Sequence, residues 1–83
     1  MSNHAQIKIE LLKNHGMVIA EDFVNNAVLK PDKVEKGYKE RLIAQKKMDR
    51  DHVVRIVYEE HDDYFLVITV YPGRRDRYEK DQI

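Results

Sequence analysis

At 83 residues the chain has room for one hydrophobic core and no second, because single cores stop growing only near about 250 residues. It contains no cysteine, which excludes disulfides, thiolate metal sites and a cysteine nucleophile together. Fifteen basic residues balance fifteen acidic ones, so the surface as a whole is not built to hold nucleic acid.

The first predicted element is a helix from His4 to Asn14, with Ile7, Leu11 and Leu12 on one stripe and Ser2 or Asn3 as its cap. His15-Gly16 reads as its stop, because helices commonly end on a glycine in the left-handed conformation. Met17 to Ile19 form an apolar connector, and Glu21 and Asp22 then sit in the first turn of a second helix, where carboxylates complement the backbone dipole. Phe23, Val24, Ala27 and Val28 supply its buried face, and Pro31 ends it near Leu29. A short turn between the two helices predicts a compact hairpin.

From residue 33 the apolar period changes from helical to alternating. Lys33 to Glu35 is an expected short edge strand whose lysines discourage pairing with another chain. Leu42 and Ala44 alternate with Arg41, Ile43 and Gln45 in a second strand, and Asp49-Arg50-Asp51 reads as a turn. His52 to Glu59 and Tyr64 to Tyr71 are the strongest strands, rich in Val, Ile, Tyr and Phe, with the acidic segment 59–63 as their hairpin loop. Pro72-Gly73 is expected to end the sheet, leaving residues 74–83, like residues 1–3, mobile or loosely packed. The class is therefore α+β, one domain over 1–83, with two N-terminal helices followed by a three- to four-stranded antiparallel sheet.

In the two central strands Val54, Ile56 and Tyr58 share one face, and Val53, Arg55 and Val57 the other. In the last strand Leu66, Ile68 and Val70 alternate with Phe65, Val67, Thr69 and Tyr71. The helices are expected to cover the aliphatic set and to leave the face bearing Arg55, Thr69 and Tyr71 toward a groove, a partner or an RNA strand.

Phe65 to Tyr71, the longest apolar stretch, falls far short of the ~20 residues a bilayer-spanning helix needs, so no membrane partner is expected. The first six residues lack the pattern of a secretory signal, and a cytoplasmic location is the expectation. Charge is unevenly spread: residues 30–47 carry seven cations against three carboxylates, a net of plus four, whereas residues 59–63 carry minus four. Such blocks form solvated loops and edges or an electrostatic footprint.

The order ending in Arg55-Ile56-Val57-Tyr58-Glu59-Glu60 and Val67-Ile68-Thr69-Val70-Tyr71-Pro72 resembles a prokaryotic family of short proteins known as a domain of unknown function. The resemblance covers most of the chain and includes His4, Gly16, Pro31-Asp32 and the basic segment from Arg41 to Lys47. The family is distantly similar to RelE-like and BrnT-like toxins, small helix-helix-sheet proteins that cleave RNA or engage the ribosome. What this implies is a RelE-like, microbial-ribonuclease-like arrangement, with RNA or an antitoxin protein as partner.

Metal-free RNA cleavage needs a proton acceptor, cations for the phosphate and an acid for the leaving oxygen. Arg55 and Arg74 are candidates to clamp a phosphate, Tyr71 and His4 to transfer protons, and Arg41, Lys46, Lys47, Arg74 and Arg75 to hold the RNA backbone. For Arg55 the alternative is a structural salt bridge, to Glu40 or Asp49. For Tyr71 it is an amphipathic position at the edge of the core, and for the arginine run near the C-terminus a solvated terminus. The histidines show no zinc-like spacing, no Gly-rich phosphate loop is present, and the single serine, Ser2, rules out a serine triad, so neither metal nor cofactor is expected. The second functional class is a non-catalytic interaction module that pairs with itself as a homodimer or with a partner such as an antitoxin.

Overall fold

The computed structural model describes residues 1–78. Helix α1 spans Asn3–Asn14 and α2 spans Glu21–Leu29; strands β1 (Lys33–Lys36), β2 (Leu42–Lys47), β3 (His52–Glu60) and β4 (Phe65–Arg74) follow, and α3 (Arg75–Tyr78) closes the described chain. Among the described residues the strands form one antiparallel sheet in the order β1-β2-β3-β4, each paired with the next. The α+β class and the arrangement of two helices before an antiparallel sheet are as the sequence predicts.

The helix boundaries follow from local chemistry. Ser2 is the cap of α1, its Oγ accepting from the Ala5 N–H at 3.1 Å, and the same hydroxyl donates to the Ile68 carbonyl at 3.0 Å. Gly16 ends the helix with φ 85°, which lets the Met17 N–H turn back to the Leu12 carbonyl at 2.9 Å. The buried stripe of α1 is Ala5, Ile9 and Leu12, whereas Ile7 and Leu11 are more than half exposed, so the stripe expected from Ile7 and Leu11 is rotated away from the sheet. Helix α2 buries Val24 and Ala27 and packs Phe23 and Val28 on the core, as its sequence pattern requires. Its N-cap is Ala20, which offers no side-chain acceptor.

Helix α1 lies over β4 and α2 over β2 and β3. The sheet positions each helix, and the expected compact helical hairpin is replaced by two helices spread side by side across one face. That layer stops short of β1.

Register places Leu42, Ala44 and Lys46 opposite Tyr58, Ile56 and Val54, all on the helix side. Ile56 pairs in turn with Val70. At Val57 and Tyr58 the β3–β4 register shifts by one: Val57 faces Thr69, but Tyr58 faces Val67, so Ile68 is left without an opposite residue. This bulge reverses the alternation expected for the first half of β4. Val67 and Phe65 join Val70 on the helix side, in place of Leu66 and Ile68.

Two more boundaries differ from expectation. Strand β4 runs through Pro72-Gly73 to Arg74, because Val54 and Val53 stay opposite those two residues. Residues 75–78 form a helical turn that the Arg75 N–H ties to the Asp51 carbonyl at 2.9 Å, so the chain expected to be loose from residue 74 is built into the fold as far as Tyr78. The remainder of that segment, 79–83, lies outside the described residues.

Candidate functional site: the Arg55 face and the open edge of the sheet

The face opposite the helices carries the expected candidates Arg55 and Tyr71. Cross-strand register brings Gln45, Arg55 and Tyr71 into one row over β2, β3 and β4, and Lys33 of β1 extends it beside Gln45. The Arg55 guanidinium is held from three sides. Its Nε donates to the Tyr71 hydroxyl at 3.0 Å, and its Nη1 donates to Glu35 Oε1 at 3.1 Å and to the Gln45 side-chain carbonyl. The fourth side is closed by the ring of Tyr78, whose centroid lies 4.5 Å from the guanidinium carbon, a cation–π distance. Arg55 is thus only 5% exposed.

Glu35 sits at the rim of this cluster, half-exposed, with Lys33 Nζ 3.3 Å away. The hydrogen bond from Arg55 holds its carboxyl below the usual carboxylate range. At Arg55 burial works against the charge, but the hydrogen bonds to Tyr71 and Glu35 outweigh it and the guanidinium pKa is raised. The salt bridge open in the sequence reading exists, and its acid is Glu35 rather than Glu40 or Asp49. No sequence signal marks Glu35 as that acid except its place in an edge strand two positions after a lysine.

Tyr78 reaches Arg55 by crossing Gly73. A β-carbon at Gly73 would lie 2.2 Å from Tyr78 Cε2, so the close approach of ring to strand requires glycine there. The face expected to lie open is therefore sealed at its centre by α3. In this arrangement the guanidinium offers little surface to a phosphate, with the Tyr78 ring lying over it.

The other proposed site residues are dispersed. His4 is exposed on α1, on the helix side, so the thickness of the sheet separates it from Arg55 and Tyr71. Arg41, just before β2, pairs with Glu59 of β3 at 3.2 Å and lowers that carboxyl's pKa, with His61 adding to the effect. Lys46 donates to the Lys30 carbonyl at 2.9 Å and lies 3.9 Å from Asp32. The Lys47 backbone N–H donates to Asp32, its side chain being exposed. Arg74 lies 3.5 Å from Asp76, and Arg75 donates to the Arg50 carbonyl at 3.0 Å. Arg41, Lys46, Arg74 and Arg75 thus have intramolecular partners, and the basic block of the sequence is distributed over both sides of the sheet.

The two outer strands of the sheet differ. Along β4 the N-terminal segment supplies a cover: the Ser2 N–H donates to the Val67 carbonyl at 2.9 Å. Strand β1 ends the order, and among the described residues no strand pairs with its outer side. The Gly37 N–H points inward to the Arg41 carbonyl, and since pairing directions alternate along an antiparallel strand, Lys33 and Glu35 also point inward. Val34 and Lys36 therefore turn their backbone groups outward. Both side chains are exposed, Val34 by 46%, and Leu29 at the end of α2 is 71% exposed.

The β1–β2 connection is tight and strained. The Arg41 N–H closes a turn on the Tyr38 carbonyl at 3.2 Å, with Lys39 at φ 58° and Glu40 at φ 64°. Two positive φ angles are what a type I′ hairpin turn needs, a role Asn-Gly fills at lowest cost.

Among the described residues no group of three His, Asp or Glu side chains converges as a metal site, and no helix is long and apolar enough to cross a membrane. No family model, curated protein or solved structure matches this chain.

Proposed function

We infer that this chain is a non-catalytic protein-interaction module that docks a further β-strand on the outer side of β1. The observation that carries this reading is the contrast on one strand: Glu35 is engaged by Arg55, while Val34 and Lys36 turn backbone groups outward that no strand among the described residues pairs, beside exposed apolar side chains. Exposed sheet edges are templates for strand addition, with the backbone giving affinity and alternate side chains giving specificity. A small core that buries only about 60% of its unfolded surface also gains from association. The partner classes are a second copy of the chain or another protein such as an antitoxin.

RNA cleavage in the manner of the toxins has less support, because the guanidinium it would use is enclosed and the candidate proton donors lie on opposite sides of the sheet. Two measurements test the reading. In dilute protein the Val34 and Lys36 amides are expected to exchange with solvent much faster than the Val54 and Ile56 amides; protection of both would mean that the edge is already covered, and would end the reading. Single-stranded RNA mixed at low salt is expected to bind weakly at most, whereas tight binding that falls steeply with added salt would favour the RNA-handling alternative.

A further inference from the structure

The open edge selects its partner through its own charges. The structure leaves Val34 and Lys36 as the outward-pointing pairing positions of β1, so a two-fold symmetric pair of copies joined edge to edge has three registers. The two-fold axis passes through Val34, Glu35 or Lys36. Centred on Glu35, the register sets two carboxylates directly opposite each other; centred on Lys36, it does the same with two ammonium groups.

Centred on Val34, no like charges are set opposite each other. Lys33 faces Glu35 of the second copy and Glu35 faces its Lys33, whereas Asp32 is turned inward, its N–H to the Gln45 carbonyl and its carboxylate to the Lys47 N–H. The two Val34 residues exchange both N–H to carbonyl bonds, and their side chains meet on the helix side, where α2 leaves β1 uncovered and Leu29 is exposed. Resting on the reading that β1 is the docking edge, we propose that the occupant is a second copy of this chain, paired antiparallel about Val34 into a continuous eight-stranded sheet. The lysines that guard the edge against indiscriminate pairing then specify the correct one. Lys33 and Glu35 already lie 3.3 Å apart within one copy, so pairing extends an existing ion pair into a quartet of alternating charges, two on each strand.

The absence of cysteine makes the register directly readable. Opposed residues in a hydrogen-bonded antiparallel pair have Cα atoms about 5.5 Å apart, within disulfide range, so Val34→Cys is expected to give a covalent dimer under mild oxidation. Lys36→Cys is expected to stay uncrosslinked, because its two copies would be about 14 Å apart, four residues along the strand. In sedimentation the wild type is expected to form a dimer whose dissociation constant rises about tenfold in Lys33→Glu, which opposes two pairs of carboxylates. The unmodified protein supplies a check free of substitutions: protection of the Val34 amide should grow with protein concentration. A monomer at millimolar concentration, or crosslinking through residue 36 in preference to 34, would overturn the proposal. With the dilute Val34 and Lys36 amides still exposed, that failure would leave the docking edge in place for a different protein; with those amides protected in dilute monomer, the docking edge itself fails.

Discussion

The two faces of the sheet are both covered, but by different physics. On the helix side Val54, Ile56, Tyr58, Val67 and Val70 are sealed by apolar side chains of α1 and α2, and the stabilisation is the removal of hydrocarbon from water. On the other side a single guanidinium is sealed by one acid, one amide, one phenol and one ring. The first cover is non-directional and tolerates repacking. The second depends on each partner, because a buried cation left short of acceptors is costly. Covering one face with a polar cluster on a single helical turn leaves the sheet dependent on its C-terminal segment, and the edge strand that supplies the acid is also the strand with an open side.

The largest effect expected is on the apolar face. Ile56→Ala removes a fully buried side chain between α2 and the sheet and is expected to cost about 2–5 kcal/mol, read as a lowered denaturant midpoint at constant slope. A cost below about 1 kcal/mol would show that the helix side is not the main core. On the polar face Tyr78→Ala is expected to cost about 1–3 kcal/mol by opening Arg55 to water. Gly73→Ala should destabilise through the same ring, because the added methyl occupies its place. The two losses should therefore be strongly non-additive in the double variant, and simple addition would sever the link between residues 73 and 78.

The faces should also separate by pH. The Glu35 carboxyl has its pKa lowered in the folded state by the Arg55 hydrogen bond, so its contribution is complete above the unfolded value of about 4.5 and is lost as pH falls through the folded value. Protonation leaves the enclosed guanidinium without its anionic partner. Glu35→Gln is expected to be less stable than wild type at neutral pH and to show a shallower acid limb in thermal melts; a limb of unchanged slope would remove Glu35 from the cluster's energetics. The smallest effect lies at the turn that begins β2. Glu40→Gly relieves a left-handed non-glycine residue and is expected to gain about 0.5–1 kcal/mol, seen as a higher melting temperature, after allowing for the extra freedom glycine has in the unfolded chain.

Alternation and helical period were sufficient to place both N-terminal helices, the strands and the stop at Gly16, because those signals are local and each residue pays for its own conformation. The bulge at Ile68 was not visible, since nothing in Leu66-Val67-Ile68-Thr69 distinguishes a residue that skips its pairing from one that keeps it. That displacement moved Leu66 and Ile68 out of the core and Val67 into it. In α1 the sequence pattern pointed to Ile7, Leu11 and Leu12, whereas the docking of the helix over β4 buries Ala5, Ile9 and Leu12 and leaves Ile7 and Leu11 exposed. For the candidate site, a lone arginine between Val53 and Val57 signalled either a structural salt bridge or a phosphate clamp on an open face, and the structure supplies the salt bridge. Which partner was a question of register, and it brought Glu35 from 20 positions away and Tyr78 from beyond the expected end of the sheet.

The sequence by itself thus determined the class of fold and the element order, since hydrophobic period and capping act on neighbouring residues. Tertiary structure alone decided how the second face was sealed and which edge of the sheet was left open. That outcome depends on pairings between distant strands, on a ring laid over a glycine and on a helix layer that ends one strand early, and no local pattern encodes any of these distances.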